Sequence, residues 1–155
     1  MPLDVDSKLD GFLKIGDIPG ASERDGHEEE IEVYGVNFTM TAPYDPTSLS
    51  KLGRVSMGTL MLTKQYDKAS PMLKMALYTN KKLGDVQFAV RRTIDGASSD
   101  YLVVKLTETT VMSYNMHVSP FENGGVEDTF ELAYKTIEVE YDGGDPQTMN
   151  VATAV

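Results

Sequence analysis

The stretch TKQYDKASPMLKMALYTNKKLGDVQF, Thr63 to Phe88, decides how the chain is read. It carries the marks of one helix set between strands. Ser70 suits the cap of a helix start, and Pro71 suits the first helical position, where its missing N–H costs nothing. Met72, Leu73, Met75, Ala76 and Leu77 make a broad apolar stripe. Lys81 and Lys82 fall where positive charge suits the helix dipole, and Gly84 suits a left-handed stop. A helix of about 12 residues is marginal alone in water. It must bury that stripe against a sheet, a barrel mouth or a neighbouring subunit.

The flanking chain alternates with period two, the pattern of half-buried strands. Before the helix, Ile31 and Val33 alternate with Glu30 and Glu32; past Gly35 the apolar set becomes Val36, Phe38 and Met40. A phase slip at a glycine predicts a bulge, and it leaves Asn37 pointing opposite to Val36 and Phe38. Val55, Met57, Leu60 and Leu62 are buried candidates in the next strand. After the helix, Val86, Phe88 and Val90 alternate up to Asp95-Gly96, a strong hairpin signal. Leu102, Val104 and Leu106 then share one face. Phe130, Leu132 and Tyr134 share one parity and Ile137, Val139 and Tyr141 the other, which predicts a second bulge near Lys135-Thr136. The total, about seven strands and one helix, favours a small barrel or a two-sheet sandwich. The expectation is a single domain over 1–155. Residues 1–10 read as an arm, 41–53 as a long loop, and 143–155 as a tail without pattern.

Composition excludes several functions. The chain of 155 residues is 41% hydrophobic, enough for one cored domain. It has no cysteine, hence no disulfide and no thiolate chemistry. Net charge is −10, from 24 acids and 14 bases, without the basic cluster that nucleic-acid binding needs. No run approaches the ~18 apolar residues of a membrane span, and MPLDVDSKLDGF does not read as a leader peptide. His27 and His117 stand apart and make no zinc pattern. Glu28, Glu29 and Glu30 read as a solvated charge run, and the glycines at 16, 20 and 26 make no phosphate loop. No catalytic, cofactor or metal residues are expected. Three roles stay open on the residues alone: a structural or interaction protein, a small-molecule or peptide-binding barrel with the Met/Leu helix as its lid, and an enzyme built on an unrecognised carboxylate pair.

The order of several stretches is more specific. FLKIGDIPG follows Gly11; His27 precedes EEIEV; LMLTKQYDKASPMLKMA carries Thr63, Lys64, Asp67, Lys68, Ser70, Pro71 and Leu73 in a fixed pattern; YLVVKL and TIEVEY come later. From Phe12 to Tyr141 the chain resembles the haemolysin-coregulated protein (Hcp) family, the tube protein of type VI secretion. Two departures are visible: Val36 and Phe38 stand where members often carry tryptophans, and TAPYDPTSLSKLG replaces a glycine-rich loop.

The resemblance implies a mainly-β, phage tail-tube-like barrel with one short helix packed at its side. It implies hexameric rings stacked into a hollow tube, driven out of the cell by a contractile sheath behind a spike trimer. Some members carry effector cargo in the lumen. A protein of this kind would start in the bacterial cytoplasm and leave without a cleaved signal peptide. On that reading Asn37 is a lumen candidate. Tyr44, Asp45, Pro46, Leu49 and Leu52 are candidates for ring stacking, because long loops are often functional. The implied partners are copies of the chain itself, sheath, spike and cargo, with no nucleic acid, no membrane insertion and no cofactor.

Overall fold

The structure is a computed structural model and describes residues 10–118 and 125–153. The order is β1 (Gly11–Ile15), β2 (Ile31–Val33), β3 (Gly35–Asn37), β4 (Met40–Thr41), β5 (Tyr44–Asp45), β6 (Ser50–Lys51), β7 (Ser56–Met57), β8 (Leu60–Gln65), α1 (Ser70–Tyr78), β9 (Lys82–Ile94), β10 (Ala97–Val118), β11 (Val126–Ala133), β12 (Thr136–Tyr141) and β13 (Gln147–Asn150). The chain is mainly β with one short helix, as expected.

The frame is the hairpin of β9 and β10. Asp95 (φ 52°) and Gly96 (φ 80°) both adopt left-handed backbone, the two-residue turn whose twist matches the strands. Both strands are long, 13 and 22 residues. They bend where Gly84 (φ 74°) and Glu108 (φ 48°) interrupt the register, between Leu106↔Val86 and Thr109↔Gly84. On the other edge of β10, β11 pairs with Thr110–Val118 and β12 with Leu102–Thr107. The break between them is the expected phase change near Lys135. Phe130, Leu132 and Tyr134 are buried before it, and Ile137 after it.

The main sheet runs β2-β1-β9-β10-β11-β8-β3, with β12 and β13 attached to β10. It is not a closed cylinder of ladders. Its two ends, β2 and β3, are successive pieces of one segment, and the covalent chain joins them at Tyr34. β2 pairs with β1 and β3 with β8, while the Tyr34 N–H donates to the Thr63 carbonyl. The slip expected at Gly35 is therefore a change of partner, through which one strand spans both ends of the sheet. The core fills the interior: Leu13, Ile31, Val33, Leu60, Leu62, Leu73, Phe88, Leu106, Phe130 and Leu132 are each nearly inaccessible.

Three expectations are corrected. The helix is nine residues long, and Ser70 lies inside it, not at its cap. It stops at Asn80 (φ 54°): the Lys81 N–H donates to the Ala76 carbonyl and the Asn80 N–H to the Leu77 carbonyl, a Schellman closure. Lys81 and Lys82 lie beyond the helix, and Gly84 serves as a strand bulge. Only Leu73 and Ala76 of the apolar stripe are buried, with Leu77 packed partly against the core; Met72 and Met75 face solvent. The region 41–53 is no open loop. With its neighbours it forms a two-step hairpin, β4 on β7 and then β5 on β6. Part of the tail also has structure: Gln147–Asn150 form β13, an edge strand on β12. The expected arm, residues 1–10, lies outside the described residues apart from residue 10.

Candidate functional site

The patterned residues before the helix form a buried weld. Lys64 shares the inward parity of Leu60 and Leu62, and Asp128 that of Phe130 and Leu132. Their strands pair so that Lys64 and Asp128 are opposite. Both are inaccessible. The Lys64 ammonium donates to Ser70 Oγ (2.6 Å), Asp67 Oδ1 (2.9 Å) and Asp128 Oδ2 (3.2 Å), and lies 3.0 Å from Asp128 Oδ1. Ser70 Oγ also accepts from the Asp67 N–H (3.0 Å), and Asp67 Oδ1 accepts from the Ala69 N–H (2.9 Å). One lysine thus ties β8, β11 and the entry to α1. The Tyr114 hydroxyl completes the cluster by donating to Asp128 Oδ2 (2.6 Å). Burial, and next the hydrogen bond to Asp128, push that hydroxyl far above the ordinary tyrosine range.

A buried ammonium needs paired, hydrogen-bonded partners, and these are supplied in full. The cluster is closed to solvent at Lys64, Ser70 and Asp128. Leu73 drives into the core beneath it, whereas Lys68 and Pro71 are exposed. Thr63 Oγ1 lies 3.4 Å from Thr129 Oγ1 on the far face of the sheet. The pattern is therefore a device for seating the helix. Sequence reading missed Asp128 and Tyr114. The available signal was a charged residue on the core parity of each of two strands.

Asn37 lies on the face away from the core. Its partner Met61 continues to Glu131 and Ser113, giving the cross-strand row Asn37–Met61–Glu131–Ser113. Glu131 accepts from Ser113 Oγ (2.5 Å) and Thr59 Oγ1 (2.9 Å). These two bonds, Ser113 first, hold its carboxyl below the ordinary value of 4.5. With Thr63 and Thr129 in the next row, this face is a mainly polar wall interrupted by Met61.

The hairpin arm carries the other candidates. Tyr44 and Asp45 pair with Lys51 and Ser50. Asp45 Oδ1 accepts from the Thr47 N–H (2.9 Å), and Leu49 turns at φ 60°. Pro46 sits in the tip. Tyr44, Leu49 and Leu52 are 60%, 78% and 68% exposed, so the arm holds its apolar side chains out from the barrel.

The charged loop is partly a clasp. His27 is buried, stacked on Phe12 at 4.3 Å, with Nδ1 2.9 Å from Glu30 and Nε2 3.0 Å from Asp100. Of the expected solvated run only Glu28 and Glu29 are solvated; Glu30 is spent on this histidine. His117 is exposed. Among the described residues no acid–histidine group could hold a metal ion, and no helix is long and apolar enough to cross a membrane. The lid reading of α1 is not favoured, since Leu73 and Ala76 fill the space beneath the helix. A cavity of about 520 Å³ is an open groove on the outer sheet face, lined by Lys14, Gln87, Lys105, Glu138 and Thr148 among others.

A family model described as "Type VI secretion system effector, Hcp" matches residues 12–141. The chain belongs to the Hcp family. Hcp1 of Pseudomonas aeruginosa is 30% identical over 138 residues, covering 86% of this chain and 83% of that protein. The major exported protein of the same organism is 29% identical over 96 residues, 62% of this chain; the aligned part spans only 56% of that relative. A solved structure of a type six secretion system protein superposes with a TM-score of 0.85 at 24% identity, covering 95% of this chain and 98% of the other. At that identity it shows that the two chains share a fold. Membership makes this chain an oligomerising type VI secretion tube/effector protein.

Proposed function

We propose that this Hcp protein is a tube subunit whose working parts are surfaces: a lumen wall, an outer wall and two stacking faces. Hexameric rings form first and stack through the arm, with Tyr44, Asp45, Pro46, Leu49 and Leu52 at the contact. The polar wall containing Asn37 faces the lumen and holds effector cargo. A contractile sheath surrounds the tube and a spike trimer tips it. The protein starts in the bacterial cytoplasm and leaves without a cleaved leader, without inserting in a membrane and without catalysing a reaction. The parts of the chain at 1–10 and 143–155 belong to the same single domain.

The observation that carries the stacking is the arm. An isolated two-stranded hairpin is marginal in water. One that also exposes Tyr44, Leu49 and Leu52 gains stability when a neighbour covers it. Light scattering and electron microscopy of the purified protein test the reading. Rings that stack in the wild type, and remain single when residues 44–52 are replaced by a short turn, support it. Intact tubes after that replacement refute the stacking role.

A further inference from the structure

Helix α1 has a second face that the barrel does not use. Leu73 and Ala76 turn inward, while Met72, Met75 and Thr79 turn outward at i, i+3 and i+7 spacing. Met72 and Met75 are 39% and 55% exposed. Beside them opens a depression of about 290 Å³, lined by Ile18, Met72, Met75, Ala76, Thr79 and Lys81 among others. Tyr78, on the same helix, is 86% exposed.

The segment that carries this face is basic, in a chain that is acidic. From Thr63 to Lys82 there are five lysines (Lys64, Lys68, Lys74, Lys81, Lys82) and one acid, Asp67, a net +4. The chain totals −10, so the other residues carry −14. Lys64 is consumed in the weld. Lys68 and Lys82 make no ion pair among the described residues. Lys81 meets only Asp17, at 3.6 Å across an exposed contact of little worth. The Lys74 ammonium lies over the Tyr66 ring.

We propose that this face docks an acidic amphipathic helix of another protein. Its apolar side chains, at i, i+3 and i+7, enter the depression against Met72 and Met75, which adapt to irregular shapes. Its carboxylates lie on the lysine rim. An acidic partner is repelled by the net charge of the chain and attracted to this basic segment, so charge favours binding here. The proposal concerns the free helix face and does not depend on rings or tubes.

The test uses a fluorescein-labelled helical peptide of about 15 residues, with leucines at i, i+3 and i+7 and glutamates on the flanks. A second peptide has lysine for each glutamate. Anisotropy is read at low salt on the full chain. The expected result is binding of the acidic peptide that weakens with salt, falls about tenfold in Lys68→Glu/Lys81→Glu, and is lost in Met72→Asp/Met75→Asp. The lysine peptide binds more weakly despite the acidic chain. Equal or tighter binding of the lysine peptide, or acidic-peptide binding that neither variant weakens, overturns the proposal. A drop in assembly mass in Met72→Asp/Met75→Asp also overturns it, by making a second copy of this chain the occupant. Thermal melts check that each variant folds; if the aspartate variant does not, Lys68→Gln/Lys81→Gln decides.

Discussion

The weld under α1 and the arm at 40–57 are built to opposite rules. In the weld Lys64, Ser70 and Asp128 are buried, Asp67 and Tyr114 are half-buried, and nearly every polar group is paired within the subunit. In the arm the backbone is paired but Tyr44, Leu49 and Leu52 are left outside. The first arrangement stabilises the subunit by itself. The second leaves favourable burial unused, to be gained on contact with something else. On the proposed function the weld makes the fold and the arm makes the assembly, and substitutions should separate the same way.

The largest expected effect is in the weld. Lys64→Met leaves Asp128 buried, and Asp67 half-buried, without their cation and should cost about 3–5 kcal/mol. Urea unfolding of the purified protein measures it; a loss below about 1 kcal/mol would mean the cluster is solvated and the contrast false. Replacing both Lys64 and Asp128 by apolar residues of similar size should recover much of that loss. In the arm, Leu49→Asp with Leu52→Asp should change subunit stability by less than about 0.5 kcal/mol and abolish ring stacking seen by electron microscopy. A large fall in the unfolding midpoint would show that the arm belongs to the core after all.

Asn37→Arg tests the wall: rings should persist while effector retention, read by co-purification, falls. Unchanged retention removes Asn37 from the lumen. The smallest effect concerns Glu131. Its carboxyl is held below 4.5, so it contributes stability that is present above that value and lost as pH falls through the lowered folded-state value. Ser113→Ala removes the first cause of the depression. NMR titration should show the Glu131 carboxyl moving back toward 4.5, and the acid limb of the stability curve should soften.

Much of the fold is legible in the residues themselves. The Asp95-Gly96 turn, the phase changes at Gly35 and near Lys135, and the inward residues Val86, Phe88, Val90, Phe130, Leu132 and Ile137 follow from local chemistry and period two. The candidate surfaces are legible only as positions. The stretch 41–53 holds two prolines and several turn formers, and nothing local shows that Tyr44–Asp45 and Ser50–Lys51 pair. Five apolar residues crowding one helix predict Met72 and Met75 inside. A nine-residue helix against a curved sheet has room to bury only a narrow strip, here Leu73, Ala76 and part of Leu77.

The sequence by itself determined the class of fold, the two changes of phase and the absence of thiol chemistry, because each depends on composition or on residues adjacent in the chain. Tertiary structure decided three things that no window of sequence contains. It set Asp128 opposite Lys64, 64 residues away, so that two isolated charges became one satisfied pair. It passed the segment through Tyr34 from β1 to β8, joining the ends of the sheet through the backbone. It also divided the apolar residues between core and surface. Burial depends on the whole surface that an element meets, and that surface exists only once distant strands have come together.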